Sequence, residues 1–126
     1  MKFGIDKQEK YSVFTLDEDK LNSQMAPLLK SEMILLNAEG IRNIIFDMTQ
    51  IRFVDSSGLS SILISDRLCK NSNGTFVMTG VSDSVMRLIK ISQLDTILNI
   101  VPSLQEAKDL VLMEEIERDF NEGSDA

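Results

Sequence analysis

The sequence contains no histidine and a single cysteine, Cys69, and these two absences remove several classes of site. Without histidine the chain cannot build the usual Ser-His-Asp triad or the usual zinc and haem ligand sets. One cysteine cannot form an internal disulfide, so we expect neither a disulfide scaffold nor a soft-metal site. Cys69 itself is expected to be a small, buried apolar residue.

Long apolar runs and an excess of basic residues are also missing. No stretch approaches the ~20 apolar residues that a membrane-spanning helix requires, and the N-terminus MKFGIDKQEK is charged. The formal net charge is −7, and residues 113–126 contribute six acids and one base to it. Such a chain lacks the basic surface of a nucleic-acid binder and is repelled by anionic lipid. We therefore expect a soluble, cytoplasmic protein with no direct nucleic-acid contact and no membrane insertion.

The motifs of nucleotide-binding proteins and hydrolases do not occur either. The segment DSSGLS is not the G-x-S-x-G of a nucleophile elbow, and G-x-x-x-x-G-K-[ST] and G-x-G-x-x-G are absent. Asp47 and Asp55 lie near strand ends and could hold Mg²⁺ in an aspartyl-phosphate receiver. That alternative is disfavoured because no acid pair follows the first strand and no suitable lysine follows the last. We expect no enzyme activity, cofactor or metal, and a turn-stabilising role for Asp47.

Strand and helix patterns alternate along the 126 residues, which is the length of one domain. A hairpin is predicted at 2–8 and 11–16, strands at 44–46, 75–80 and 96–101, and helices at 22–38, 57–70, 82–91 and 102–120. The continuous apolar run at 44–46 is typical of a central strand buried on both faces. The order indicates an α/β fold with a mixed sheet, about four helices and an initial hairpin.

Local signals suggest where the helices begin and which faces they expose. Asn22 or Ser23 can cap the first helix, where Pro27 is tolerated only in the first turn. Ser103 and Glu106 have the spacing of a capping box. Five apolar residues lie off the main core faces and either pack helix against helix, which is favoured, or form a partner or self-association surface: Ile64, Leu68, Leu112, Met113 and Ile116.

The stretch FVDSSGLSSIL, residues 53–63, places two serines and a glycine where an apolar run turns into a helix. Asp55, Ser56 and Ser57 are all suited to cap a helix or fill a turn, and Gly58 permits close backbone packing. A purely structural role would explain them. The alternative is that one serine is a regulatory switch.

In its wider context this stretch resembles the STAS domain, named for sulphate transporters and anti-sigma factor antagonists. The resemblance rests on an apolar strand ending in FDMT, then an aromatic residue, VDSSGL, a helix, NG and another strand, all in family order. It covers roughly residues 5–112. The expected organisation is a STAS domain at 1–112, followed at 113–126 by an acidic helical extension and a disordered tail.

The resemblance also implies a function. In family members that act as anti-sigma factor antagonists, the serine directly before Gly-Leu is phosphorylated by the partner anti-sigma factor, itself a serine kinase. That serine corresponds to Ser57, with Ser56 as helix cap and secondary acceptor. The unphosphorylated protein would bind the kinase and regulate transcription indirectly, phosphorylation would release it, and a serine phosphatase would restore binding. The expected partner-contact residues are Asn22, Asp55, Ser56, Ser57, Gly58 and Leu59.

One position departs from the family pattern, and two other functions stay open. Family members commonly carry G-x-L-D before the first helix, whereas Asn22 stands here in place of the aspartate and leaves one less negative charge beside a phosphoserine. One alternative is an accessory STAS subunit of a membrane transporter ATPase, with Ser57 serving mainly as a contact. The other is a STAS domain that binds a small ligand.

Overall fold

Seven strands and four α-helices lie within residues 1–124, the part of the chain that this computed structural model describes. The strands are β1 (Phe3–Lys7), β2 (Ser12–Leu16), β3 (Lys20–Leu21), β4 (Ile44–Asp47), β5 (Phe53–Val54), β6 (Phe76–Thr79) and β7 (Asn99–Val101). The helices are α1 (Ala26–Ala38), α2 (Ser56–Asn71), α3 (Asp83–Ile91) and α4 (Leu104–Ser124).

Five of the strands form one mixed sheet in the order β1-β2-β4-β6-β7. The β1–β2 hairpin is antiparallel, and β2, β4, β6 and β7 run parallel to one another. This arrangement confirms the expected α/β fold with a mixed sheet, an initial hairpin and four helices.

The central strand β4 divides the core into two layers. Ile44 and Phe46 belong to the larger cluster, which contains residues of α1, α2 and α3, whereas Ile45 packs with Ala107 and Val111 of α4. All three β4 residues are at most 2% exposed, so the prediction of a strand buried on both faces is confirmed. Three helices therefore cover one face of the sheet, and α4 covers the other alone.

The first helix begins later than predicted. Asn22 Oδ1 accepts from the amides of Gln24 and Met25, at 3.1 and 3.3 Å, and so closes a turn that precedes α1. The N-cap residue is Met25, whose side chain makes no capping bond, and Pro27 lies in the first turn. The predicted start at residue 22 is wrong because the Asn22 side chain caps a turn and not the helix.

The last strand and the last helix also differ in extent from their predictions. Leu94–Thr96 form a 3-10 turn after Gln93, whose φ is 60°, so β7 begins only at Asn99. Ser103 Oγ accepts from the Glu106 amide at 3.2 Å, as the capping-box spacing predicts. The last helix continues through residues 121–124, where a disordered tail was expected. The expected tail also included residues 125 and 126, which lie outside the described residues. The division of the chain at residue 112 stays a prediction.

Cys69 lies on the buried face of α2, as predicted. It is 1% exposed, and burial together with the nearby Asp66 carboxylate raises the pKa of its thiol to about 12. A thiol with such a pKa is almost entirely protonated at neutral pH and is a poor nucleophile.

Apolar side chains outside the main core faces divide into two groups. Leu68 packs against the large core cluster, as helix-on-helix packing requires, whereas Ile64 is half-buried and lines a groove that residues of α1 also line. Leu112, Met113 and Ile116 remain 39%, 62% and 67% exposed. Even so, no helix within residues 1–124 combines the length and apolarity needed to cross a bilayer.

A buried polar cluster, which the sequence analysis did not anticipate, anchors α4 to the start of β4. Asn43, 3% exposed, donates from Nδ2 to the Lys10 carbonyl at 2.8 Å and to Glu115 Oε1 at 2.5 Å. The other oxygen of Glu115 accepts from Arg42 at 2.9 Å, and Arg118 contacts the carboxylate at 3.3 Å. The buried carboxylate is therefore fully paired.

This pairing predicts an acid-sensitive contribution to stability. Burial alone would raise the pKa of Glu115, but hydrogen bonds from Asn43 and Arg42 and the charges of Arg42 and Arg118 outweigh it and hold the pKa below its ordinary value. The stabilisation is therefore present above the unfolded-state pKa and is lost as pH falls through the folded-state pKa. We expect Glu115→Gln to lower the free energy of unfolding at neutral pH by roughly 1–3 kcal/mol and to weaken its dependence on pH in the acid range.

Urea unfolding at a series of pH values checks this prediction. Glu39→Gln is the control, because Glu39 forms an exposed ion pair with Lys7 and should change stability by less than about 1 kcal/mol. A Glu115→Gln protein that loses as much stability on acidification as the wild type would contradict the assignment.

Candidate functional site

The N-terminus of α2 lies against the loop that precedes α1. A two-stranded parallel sheet brings them together, with Lys20 opposite Phe53 and Leu21 opposite Val54. A Cβ added at Gly58 would lie 2.2 Å from the Leu21 carbonyl oxygen, a distance that no side chain can tolerate. Glycine at position 58 is therefore what allows this close approach of the two backbones.

The Asp55 carboxylate ties the two segments together. Asp55 is the N-cap residue of α2, and its Oδ1 accepts from the Gly58 amide at 2.9 Å. Its Oδ2 accepts from the Ser23 amide at 3.1 Å. The expectation that Ser56 caps the helix is wrong, because Asp55 has the extended backbone of an N-cap residue and supplies the capping carboxylate, whereas Ser56 already begins the helix.

The side chains of the two serines of the motif take no part in this capping arrangement. Ser56 is exposed and Ser57 is half-buried, and among the described residues neither hydroxyl has a hydrogen-bond partner. Both line a groove of about 420 Å³ between α1 and α2. The remaining residues of this groove are Ser23, Ala26, Pro27, Lys30, Ser60, Ser61 and Ile64.

Hydroxyl groups dominate the polar lining of the groove. Among the described residues its polar side chains are hydroxyls and one amine, that of Lys30, without a carboxylate. Each Asp55 oxygen accepts one hydrogen bond from a backbone amide, so this carboxylate is held in its capping role. Within residues 1–124 no three metal-ligating side chains form a group that could hold an ion.

The start of α2 also favours negative charge. The first intrahelical bond at this end runs from the Leu59 amide to the Asp55 carbonyl at 2.9 Å, so the amides of Ser56 and Ser57 precede the hydrogen-bonded turns. Free amides and the helix dipole together stabilise an anion at this position. A phosphate on Ser57 would therefore be compatible with the folded helix.

The six residues predicted to contact a partner lie close together but not at the same depth. Asn22, Asp55, Ser56 and Ser57 are partly or fully exposed, whereas Gly58 and Leu59 are buried, the latter 7% exposed. Leu59 belongs to the larger core cluster. Gly58 and Leu59 therefore lie beneath the exposed surface of the site and support it.

Two further observations concern residues around the site. Asp47 accepts from the amide and hydroxyl of Thr49, at 3.0 and 2.5 Å, which is the turn-stabilising role predicted for it. The sequence analysis missed Lys30 and Ser60 as groove residues. Ser60 could have been predicted, since it lies one helical turn beyond Ser56 on the same side of α2. Lys30 belongs to α1, and no sequence pattern places it beside Ser57.

Comparisons with known proteins agree with this geometry. The STAS domain family profile matches residues 4–107. A candidate anti-sigma factor antagonist from Thermotoga maritima is 24% identical, with a TM-score of 0.78 over 86% of this chain and 93% of that one. The phosphorylated Bacillus cell fate determinant SpoIIAA is 20% identical, with a TM-score of 0.68 over 87% of this chain and 99% of that one.

The same fold occurs in a protein with a different description. A sulfate transporter family protein from Wolinella succinogenes is 14% identical, with a TM-score of 0.68 over 82% of this chain and 84% of that one. At these identities the solved structures establish the shared fold, whereas the family profile covers most of the sequence. This chain belongs to the STAS domain family.

Proposed function

We propose that this protein is a non-enzymatic, cytoplasmic anti-sigma factor antagonist whose partner binding is switched by phosphorylation of Ser57. The observation that carries the proposal is the position of the Ser57 hydroxyl. It lies at the rim of a groove, without a hydrogen-bond partner among the described residues, at a helix N-terminus that tolerates an anion. The proposed partner is an anti-sigma factor that is itself a serine kinase.

The phosphoryl transfer requires no catalytic group from this chain. The γ-phosphoryl group of ATP bound to the kinase passes to Ser57 Oγ, the hydroxyl proton leaves to a base of the kinase, and ADP departs. The product carries a charge of roughly −2 and three acceptor oxygens. SpoIIAA, which shares this fold, has been solved in a phosphorylated form, and that supports a fold that survives the modification.

Release follows from the change at the surface. A partner that packs on the unmodified surface formed by Asn22, Asp55, Ser56 and Ser57 would have to bury a hydrated dianion, which is costly unless the partner supplies matching charge. Transcription then changes indirectly through the freed anti-sigma factor. A serine phosphatase that removes the phosphate returns the antagonist to its binding state.

A second candidate function is an accessory STAS subunit of a membrane transporter ATPase. The likeness to the sulfate transporter family protein of Wolinella succinogenes supports this alternative. The groove of about 420 Å³ would equally suit a STAS domain that binds a small ligand. In both cases the Ser57 surface would be a contact and not a switch.

The test of the proposal is intact-mass analysis of the protein isolated from its native cells, followed by fragment mapping. We expect a fraction of the protein to carry one phosphate on Ser57, and the fraction to change between growth and stress. A chain that stays unmodified under both conditions, and after incubation with candidate anti-sigma kinases, would favour the transporter-subunit or ligand-binding function.

Lys30 should influence the phosphate, because among the described residues it is the one charged residue that lines the groove with Ser57. A nearby cation favours the dianionic form, so Lys30→Ala is expected to raise the second pKa of phosphoserine 57. A ³¹P NMR titration of protein with phosphoserine incorporated at position 57 during translation measures the effect without any kinase.

Lys90→Ala is the matched control, because Lys90 is an exposed lysine in the last turn of α3. Its removal should leave the phosphate titration unchanged. Equal titration curves for the Lys30→Ala and Lys90→Ala proteins would show that Lys30 does not interact with the phosphate.

A further inference from the structure

The outer face of α4 carries an apolar stripe that no other described element covers. Leu112, Met113, Ile116 and Phe120 are 39%, 62%, 67% and 74% exposed. Their spacing of one, four and eight residues from Leu112 places them on one side of the helix. The opposite side is already used, since Ala107 and Val111 pack on the sheet.

The fold leaves no element to cover this stripe within residues 1–124. The helices α1, α2 and α3 pack on the other face of the sheet, and the neighbours of α4 are β4, β6 and β7. The buried cluster of Asn43 and Glu115 fixes the rotation of the helix, so the stripe cannot turn inward. Four large apolar side chains on one helical face are the pattern of an interaction surface.

The charges beside the stripe indicate which occupant fits. Glu106, Asp109, Glu117 and Asp119 are exposed on the same outward side of α4. The half-buried Lys108 adds one positive charge, and the C-terminal end of the helix dipole adds negative potential. An anionic membrane surface is repelled by this face, and a second copy would bring acids against acids.

A basic amphipathic helix satisfies both features. Its apolar side can bury the stripe through anchors one turn apart, and its flanking lysines or arginines can meet the carboxylates. We propose that α4 docks a basic amphipathic helix of a partner protein. The surface lies on the face of the sheet opposite α2, so this contact is independent of Ser57 and of the proposed switch.

Titration with a synthetic helical peptide tests the proposal on the full chain. The probe is an 18-residue peptide with leucines at positions i, i+3, i+4 and i+7 and lysines elsewhere, and the comparison peptide has glutamate in place of lysine. Met113→Gln/Ile116→Gln/Phe120→Gln removes the three most exposed residues of the stripe and replaces them with a good helix former. We expect this variant to bind the lysine peptide at least about tenfold more weakly than the wild type, because burial of each apolar side chain contributes to affinity.

Two control variants separate the surface from general properties of the protein. Ile34→Gln/Leu35→Gln removes exposed apolar residues from α1, where they are 46% and 56% exposed, and should leave peptide binding unchanged. Neutralising four carboxylates of α4 should weaken binding more than neutralising four elsewhere. The α4 set is Glu106, Asp109, Glu117 and Asp119, and the control set is Glu9, Glu18, Glu32 and Asp95.

Each other outcome would overturn the proposal. Equal binding of the lysine and glutamate peptides would show that charge does not select the occupant. Dimerisation in light scattering that the stripe variant abolishes would assign the face to a second copy. Stripe-dependent binding to phosphatidylglycerol vesicles would assign it to a membrane, and failure of the lysine peptide to bind would remove the docking site.

Discussion

Under the proposed function, replacing Ser57 with alanine is expected to give a protein that binds the anti-sigma factor but is not released when ATP is added. The wild-type protein, once phosphorylated, should bind ~100-fold more weakly, because burying an uncompensated dianion in the contact costs about 3 kcal/mol. Calorimetric titration of the kinase with the unmodified, phosphorylated and Ser57→Ala proteins measures these differences. The alanine variant should match the unmodified wild type, since Ser57 Oγ makes no hydrogen bond within the described structure.

Two neighbouring serines provide controls for the acceptor position. Ser56 is exposed beside Ser57, and Ser60 lines the same groove one helical turn further along α2. Ser56→Ala and Ser60→Ala should both retain release by ATP. Loss of release in Ser56→Ala alone would move the acceptor to Ser56, and tight binding by protein phosphorylated at Ser57 would contradict the switch altogether.

Gly58→Ala is expected to cause the largest loss of stability of any single methyl added at the site. Alanine is ordinarily the better helix former by up to about 1 kcal/mol. Here its Cβ would lie 2.2 Å from the Leu21 carbonyl oxygen and 2.8 Å from a Val54 methyl group. Relief of that clash requires movement of the β3–β5 pairing, so we expect a net loss of roughly 3 kcal/mol and a fall of about 10 °C in Tm.

Chemical and thermal unfolding of Gly58→Ala and Gly4→Ala test this expectation together. Gly4 lies in β1, and a Cβ added there meets no atom within 4 Å. Gly4→Ala should therefore stay within about 0.5 kcal/mol of the wild type. If both variants unfold like the wild type, the backbone of α2 does not approach Leu21 as closely as described.

The elements that were predictable from sequence are those in which one pattern dominates locally. The run Ile44–Ile45–Phe46 is apolar without a break, and such a run in a chain of alternating strands and helices indicates a central buried strand. The hairpin and the four helices follow from alternation and helical spacing in the same way. By contrast, β3 and β5 have two residues each, which is too short for any periodicity.

The site was predictable in residue identity but not in the role of each residue. Asp55, Ser56 and Ser57 all suit a cap, and only the backbone angles of Asp55 decide which one caps α2. The residues of the buried cluster are equally hidden from sequence, because Asn43 and Glu115 are 72 positions apart. Contacts of this kind depend on how α4 crosses the sheet, and a local sequence pattern does not predict that crossing.

The bridge from Asp55 to the Ser23 amide joins segments 32 residues apart, so the surroundings of Ser57 exist only in the folded chain. A peptide of residues 53–63 would contain the serine but neither the α1 wall of the groove nor the Lys30 amine. A kinase acting on Ser57 would therefore read a conformational epitope and not a linear consensus. Discrimination between this protein and other STAS domains that share the Ser-Gly-Leu motif would then depend on α1, which lies outside the motif.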